Sequence, residues 1–126
     1  MSKAARRISE RLLDMQQAIE HIQSDLGDLQ RDGFLRDGKT QRAVVESLIV
    51  IGEAAHSILR ADPALERTHP ELWLQFRDSY GMRIILTHEY FRIDAALVWD
   101  TIQNDLPQLE RLLKASPLSH GSDTDQ

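Results

Sequence analysis

A chain of 126 residues has the length of one ordinary domain and enough of it to bury a core. With 41% hydrophobic and 28% charged residues but only 6% aromatics, it fits a soluble helical protein better than a β-rich one. The lack of any cysteine excludes disulfides and thiolate metal sites, and a net charge of −5 argues against nucleic-acid binding through overall positive charge. The first residues carry Lys3, Arg6 and Arg7, and no apolar segment of signal-peptide or membrane-spanning length follows them. A cytoplasmic location, with no membrane and no DNA as partner, is the expectation.

In chain order, Ile8, Leu12, Met15, Ile19, Ile22, Leu26 and Leu29 alternate spacings of four and three, one apolar stripe on a long helix that should end near Asp32-Gly33. Thr40 is a plausible N-cap for a second helix through Val44, Val45, Leu48, Ile49, Ile51, Ala55, Ile58 and Leu59, which Pro63 should stop. That helix is apolar on more than one side, so it is central, part of a subunit interface, or both. Pro70 opens a short helix with Leu72, Trp73 and Phe76, ahead of Gly81. Asp94 could cap a last helix carrying Val98, Ile102, Leu106, Leu109 and Leu113, kinked or split at Pro107. The expected architecture is an all-α antiparallel bundle of four or five helices over residues 1–115, with 116–126 a flexible polar tail.

Between Gly81 and Arg92, the run Arg83-Ile84-Ile85-Leu86-Thr87-His88-Glu89-Tyr90 sets three functional side chains in apolar surroundings at the spacing Arg-x-x-x-x-His-x-Tyr. A forked cation, a group that titrates near neutrality and a modifiable hydroxyl suggest phosphate chemistry. From Arg77 to Arg92 three arginines face one aspartate and one glutamate, a local charge of +1 in an acidic chain. For such residues in isolation, a core-edge arginine, a hydrogen-bonded histidine and a packed tyrosine is the commoner outcome.

Together with Ala43-Val44-Val45-Glu46-Ser47-Leu48-Ile49-Val50-Ile51-Gly52-Glu53-Ala54-Ala55, this run resembles the HepT family of HEPN-domain proteins, the toxin halves of prokaryotic toxin–antitoxin pairs. Ile93-Asp94, Val98-Trp99 and Asp105-Leu106-Pro107 extend the likeness to roughly residues 8 to 114. The resemblance implies a dimeric HEPN bundle and a metal-independent endoribonuclease that needs no cofactor. It also implies a cognate minimal nucleotidyltransferase (MNT) antitoxin that forms a hetero-oligomer with the toxin and AMPylates it. Carried onto this chain, Arg83 and His88 are the catalytic pair and Tyr90 is the AMPylated residue. Glu53 could support the cleft. The residue after the arginine is Ile84, where the family commonly has a polar residue such as Asn.

For RNA cleavage without a metal, the ribose 2′-hydroxyl is the internal nucleophile, His88 the base and Arg83 the cation that stabilises charge on phosphorus. On a regular helix Tyr90 lies about 20° around from Arg83, but His88 about 140°. Either the helix ends or distorts near His88, or two copies related by a two-fold axis share the cleft. The non-catalytic alternative is an inactive helical dimer that binds a nucleotidyltransferase or nucleotide. A second alternative starts from Glu53-Ala54-Ala55-His56 and Glu66-Arg67-Thr68-His69, two Glu-x-x-His pairs of the kind that hold two metals in helical bundles.

Overall fold

A computed structural model describes residues 2–88 and 92–116; Tyr90 and the tail beyond residue 116 lie outside the described residues. Helix α1 (Lys3–Leu26) starts at Ser2, whose hydroxyl accepts from the Ala5 amide at 3.0 Å. It buries Leu12, Met15, Ile19 and Ile22 of the stripe expected from the four–three spacing, with Ala18 beside them, while Ile8 and Leu26 are half-buried and Leu29 lies beyond the helix end. It stops sooner than Asp32-Gly33. Gly27 takes φ of +52° and donates to the Gln23 carbonyl at 3.1 Å, a left-handed terminus that a residue with a Cβ rarely adopts. Gly33 instead sits inside a separate short helix, α2 (Arg31–Leu35), which drops Phe34 into the core.

Helix α3 (Gly38–Ala61) is capped by Asp37 rather than by Thr40. The Asp37 carboxylate accepts from the Thr40 amide at 3.1 Å and from its hydroxyl at 2.8 Å, and both bonds hold its carboxyl below the usual carboxylate range. Val44, Val45, Leu48, Ile51, Ala54, Ala55 and Ile58 are all buried, and α3 packs against both α1 and α5, which makes it the central helix. A single turn, α4 (Leu65–Thr68), reverses the chain into α5 (Pro70–His88).

Helix α5 runs unbroken through Gly81, where a separate short helix was expected. A Cβ at Gly81 would meet nothing within 4 Å, so this glycine marks no turn and no close approach. The remaining rod is α6 (Ala95–Asp100), capped by Asp94 through the Leu97 amide at 3.0 Å, then a π turn (Thr101–Asp105), then α7 (Leu106–Ala115). In a regular helix the ring of Pro107 would clash with the carbonyl of Gln103. The wider turn just before it, closed by Leu106 N–H to the Thr101 carbonyl, removes that conflict. Four long units, α1, α3, α5 and the α6–α7 rod, thus form an all-α bundle, with no strand among the described residues. Trp99 packs at 5.5 Å from Phe34, and Trp73 lies under the Arg77 guanidinium at 5.3 Å, so both tryptophans are packing residues.

Candidate active site on helices α3 and α5

The closest approach of α3 to α5 occurs at Gly52. A Cβ placed there would overlap the Cβ of Arg83 and come within 2.7 Å of the Ser79 carbonyl oxygen. Only a glycine lets the two backbones meet at this point, and the meeting sets where Arg83 leaves α5. The next residue on α3 then reaches it: Glu53 Oε1 accepts from Arg83 Nε at 2.6 Å and lies 2.5 Å from its Nη2. The pair is open to solvent, with the arginine side chain 31% and the glutamate 51% exposed, so it is worth at most about 1 kcal/mol of stability. Its consequence is orientation. One carboxylate oxygen ties down one edge of the guanidinium, and the other N–H donors of the fork stay available.

His88 is the last residue of α5 and is exposed. The helix is continuous up to that point, and Thr87 Oγ1 donates to the carbonyls of Arg83 at 3.0 Å and Ile84 at 3.2 Å. Along this helix Arg83 and His88 leave about 140° apart. Of the residues singled out by sequence, the fold brings Glu53 to Arg83, keeps His88 one turn further on, and leaves Tyr90 outside the described residues.

Three residues forward on α3 and three back on α5, the rings of His56 and Tyr80 stack at 4.0 Å between centroids and 5° between planes. Sequence reasoning had put His56 in a metal pattern and had passed over Tyr80. The signal available was the antiparallel register: once Glu53 meets Arg83, three residues forward on α3 must meet three residues back on α5. Among the described residues no group of three or more His, Asp or Glu side chains could hold a metal ion, so the two Glu-x-x-His pairs do not assemble. The other flank of α5 carries Asp78, which faces Asp105 of the π turn across a small pocket also lined by Leu48, Ser79 and Met82. Desolvation, and then the charge of Asp78, pushes the Asp105 carboxyl above its ordinary value.

A family model described as "Ribonuclease HepT-like" matches residues 15–116. This chain belongs to the HepT-like family of the HEPN superfamily. Among its relatives is a Thermococcus cleftensis protein named as a probable ribonuclease HepT, 37% identical over 99 residues that cover 79% of this chain and 86% of the relative. A candidate RNase of Methanocaldococcus jannaschii is 31% identical over 107 residues, covering 82% and 84% of the two chains. Another, from Caldanaerobacter subterraneus, is 32% identical over 83 residues, covering 66% and 70%. No solved structure matches the chain. The HepT-like match covers the second half of α1, all of α3, α5 and the α6–α7 rod, and so both helices of the candidate site. No helix among the described residues is long and apolar enough to cross a membrane.

Proposed function

We infer that this HepT-like protein is an endoribonuclease that cuts RNA through the ribose 2′-hydroxyl without a metal, and that Arg83 and His88 carry the reaction. The observation behind this reading is the oriented Arg83 guanidinium, held at one edge by Glu53 and open at the other, on the same helix as an exposed histidine five residues on. His88 takes the proton of the 2′-hydroxyl, the 2′-oxygen attacks the adjacent phosphorus, and the bond from phosphorus to the 5′-oxygen breaks. The products are a 2′,3′-cyclic phosphate and a 5′-hydroxyl, the latter formed when the leaving oxygen is protonated. Arg83 binds the phosphate and offsets the charge that develops on its oxygens. Glu53 is a positioning residue: it touches no substrate and fixes the arginine.

The 140° between Arg83 and His88 favours a cleft shared by two copies of the chain, in which each copy supplies one of the two groups to the same phosphate. Val50, Ile84 and Ile85 are 41%, 37% and 47% exposed on the two helices that carry the site, apolar surface of the kind that a second copy covers. On this reading Ile84 belongs to the subunit contact rather than to the chemistry. The protein acts as the toxin of a toxin–antitoxin pair, and its antitoxin is a nucleotidyltransferase that transfers AMP to Tyr90. Two residues beyond His88, that added charge and bulk would exclude RNA from the cleft.

The test is incubation of the unmodified protein with total tRNA and mRNA in EDTA, beside an Arg83→Ala/His88→Ala double variant. Cleavage by the wild type alone, with 2′,3′-cyclic phosphate ends, is the expected result, and loss of His88 alone should slow it by about 10²- to 10⁴-fold. Products that carry 5′-phosphates and form only with added metal would overturn the mechanism. Intact RNA with a folded, unmodified wild-type dimer would favour a binding module for the nucleotidyltransferase instead.

A further inference from the structure

We propose that the stacked rings of His56 and Tyr80 are a nucleobase subsite: they hold the base of a nucleotide next to the phosphate that Arg83 binds. This rests on the ribonuclease reading above and adds a specificity-determining element to it.

Glu53 and Arg83 form one rung across the α3–α5 seam, and His56 and Tyr80 form the next, three residues along each helix. Three residues of helix rise about 4.5 Å, a spacing on the scale of neighbouring groups along a single RNA strand. A phosphate on Arg83 therefore puts an adjacent base within reach of the two rings. Both rings are half-buried, so part of each still faces outward. At 4.0 Å and 5° they are already parallel to one another, and an incoming base would extend an existing stack without reorganising it.

The polar edges support the same assignment. Among the described residues, neither the His56 imidazole nor the Tyr80 hydroxyl makes a side-chain hydrogen bond. Neither polar group is among the buried ones that lack a partner, so both reach solvent, where the edge of a base could meet them. Left unpaired beside a phosphate-binding cation, they supply a donor and an acceptor for the edge of a base, together with the aromatic face that single-stranded RNA uses. Arg60, four residues after His56 on α3, and Arg77, three before Tyr80 on α5, are both exposed, and Arg77 pairs with Asp78 at 3.4 Å.

The experiment measures binding by fluorescence anisotropy with a labelled, mixed-sequence 2′-O-methyl hexanucleotide, which lacks the 2′-hydroxyl nucleophile and is not cut. A matched set carries one abasic nucleotide at each position in turn. Wild type, Tyr80→Leu, Tyr80→Phe and Arg83→Ala are compared, with RNA cleavage followed in parallel and folding checked by thermal melting. Tyr80→Leu should bind about 5- to 100-fold more weakly, the loss of one stacked base, whereas Tyr80→Phe keeps the aromatic face and stays within about 3-fold of wild type. One abasic position should weaken wild type and leave Tyr80→Leu unaffected. If Tyr80→Leu unfolds, His56→Ala replaces it in the same comparison.

Wild-type affinity in Tyr80→Leu or His56→Ala at every abasic position, while Arg83→Ala loses binding, would overturn the base subsite and leave the ribonuclease reading standing. An oligonucleotide that wild type does not bind, together with uncut RNA, would overturn both.

Discussion

Arg83 shows how one residue can be set by two others that do no chemistry. Gly52 removes the side chain that would block it, and Glu53 holds its guanidinium through one oxygen. An exposed ion pair of this kind adds almost nothing to stability, so its removal should be seen in activity and not in melting temperature. Glu53→Gln is expected to slow RNA cleavage by up to about 100-fold with little change in melting, because a cation displaced by an ångström loses its hold on the transition state. Side-by-side kinetics and calorimetry check this, and a large stability loss with normal turnover would show that Glu53 is structural. At Asp105 the native carboxyl holds its proton to higher pH than the unfolded chain does. Stability therefore falls as pH rises from the ordinary value of 3.8 through the raised native one, and the contribution is gone above it. Asp105→Asn removes a charge that is desolvated and repelled by Asp78. It should melt higher than wild type at pH 7, an advantage that shrinks as pH falls through that window.

Helices α3 and α5 carry the site, and two glycines show that residue type does not reveal position. Gly52 is buried in the seam, whereas Gly81 lies in open space on α5. Gly52→Ala should therefore destabilise the protein and displace Arg83. Gly81→Ala should stabilise it by roughly 0.5–1 kcal/mol, since alanine loses less backbone entropy in a helix. Opposite shifts in denaturation midpoint are the expected outcome; equal shifts would contradict the packing described here. Loss of the α6 cap in Asp94→Ala should cost about 1 kcal/mol, through the amide of Leu97. The core stripe of α1, the Asp94 cap and the Pro70 start of α5 were legible because periodicity and capping are local. The end of α1 was not, since Gly27 and Gly33 look alike until the chain path makes one of them left-handed.

On the scale of the whole molecule, the bundle leaves Val50, Ile84 and Ile85 outside on the two helices that hold the site. If two copies close over Ile84 and Ile85 on α5, a charged residue there should separate them and abolish cleavage together. Ile85→Asp is expected to shift the protein from dimer to monomer in sedimentation and to lower RNA cleavage by at least about 100-fold, since each monomer then holds only half of the cleft. A monomeric Ile85→Asp with full activity would place both catalytic groups in one chain.

Sequence alone determined the fold class and the family, and put Arg83, His88 and Glu53 forward as candidates, because helical periodicity and a fixed motif spacing are properties of neighbouring residues. It could not decide what meets what across the α3–α5 seam. Residues 52 and 83, 53 and 83, and 56 and 80 are brought together only by the reversal at α4 and the close approach at Gly52. Read along the chain, Glu53 and His56 make a metal-like pattern. Tertiary packing separates them, giving Glu53 to Arg83 and His56 to Tyr80, because on a helix each residue's partner is chosen by the facing helix and not by its neighbour in sequence.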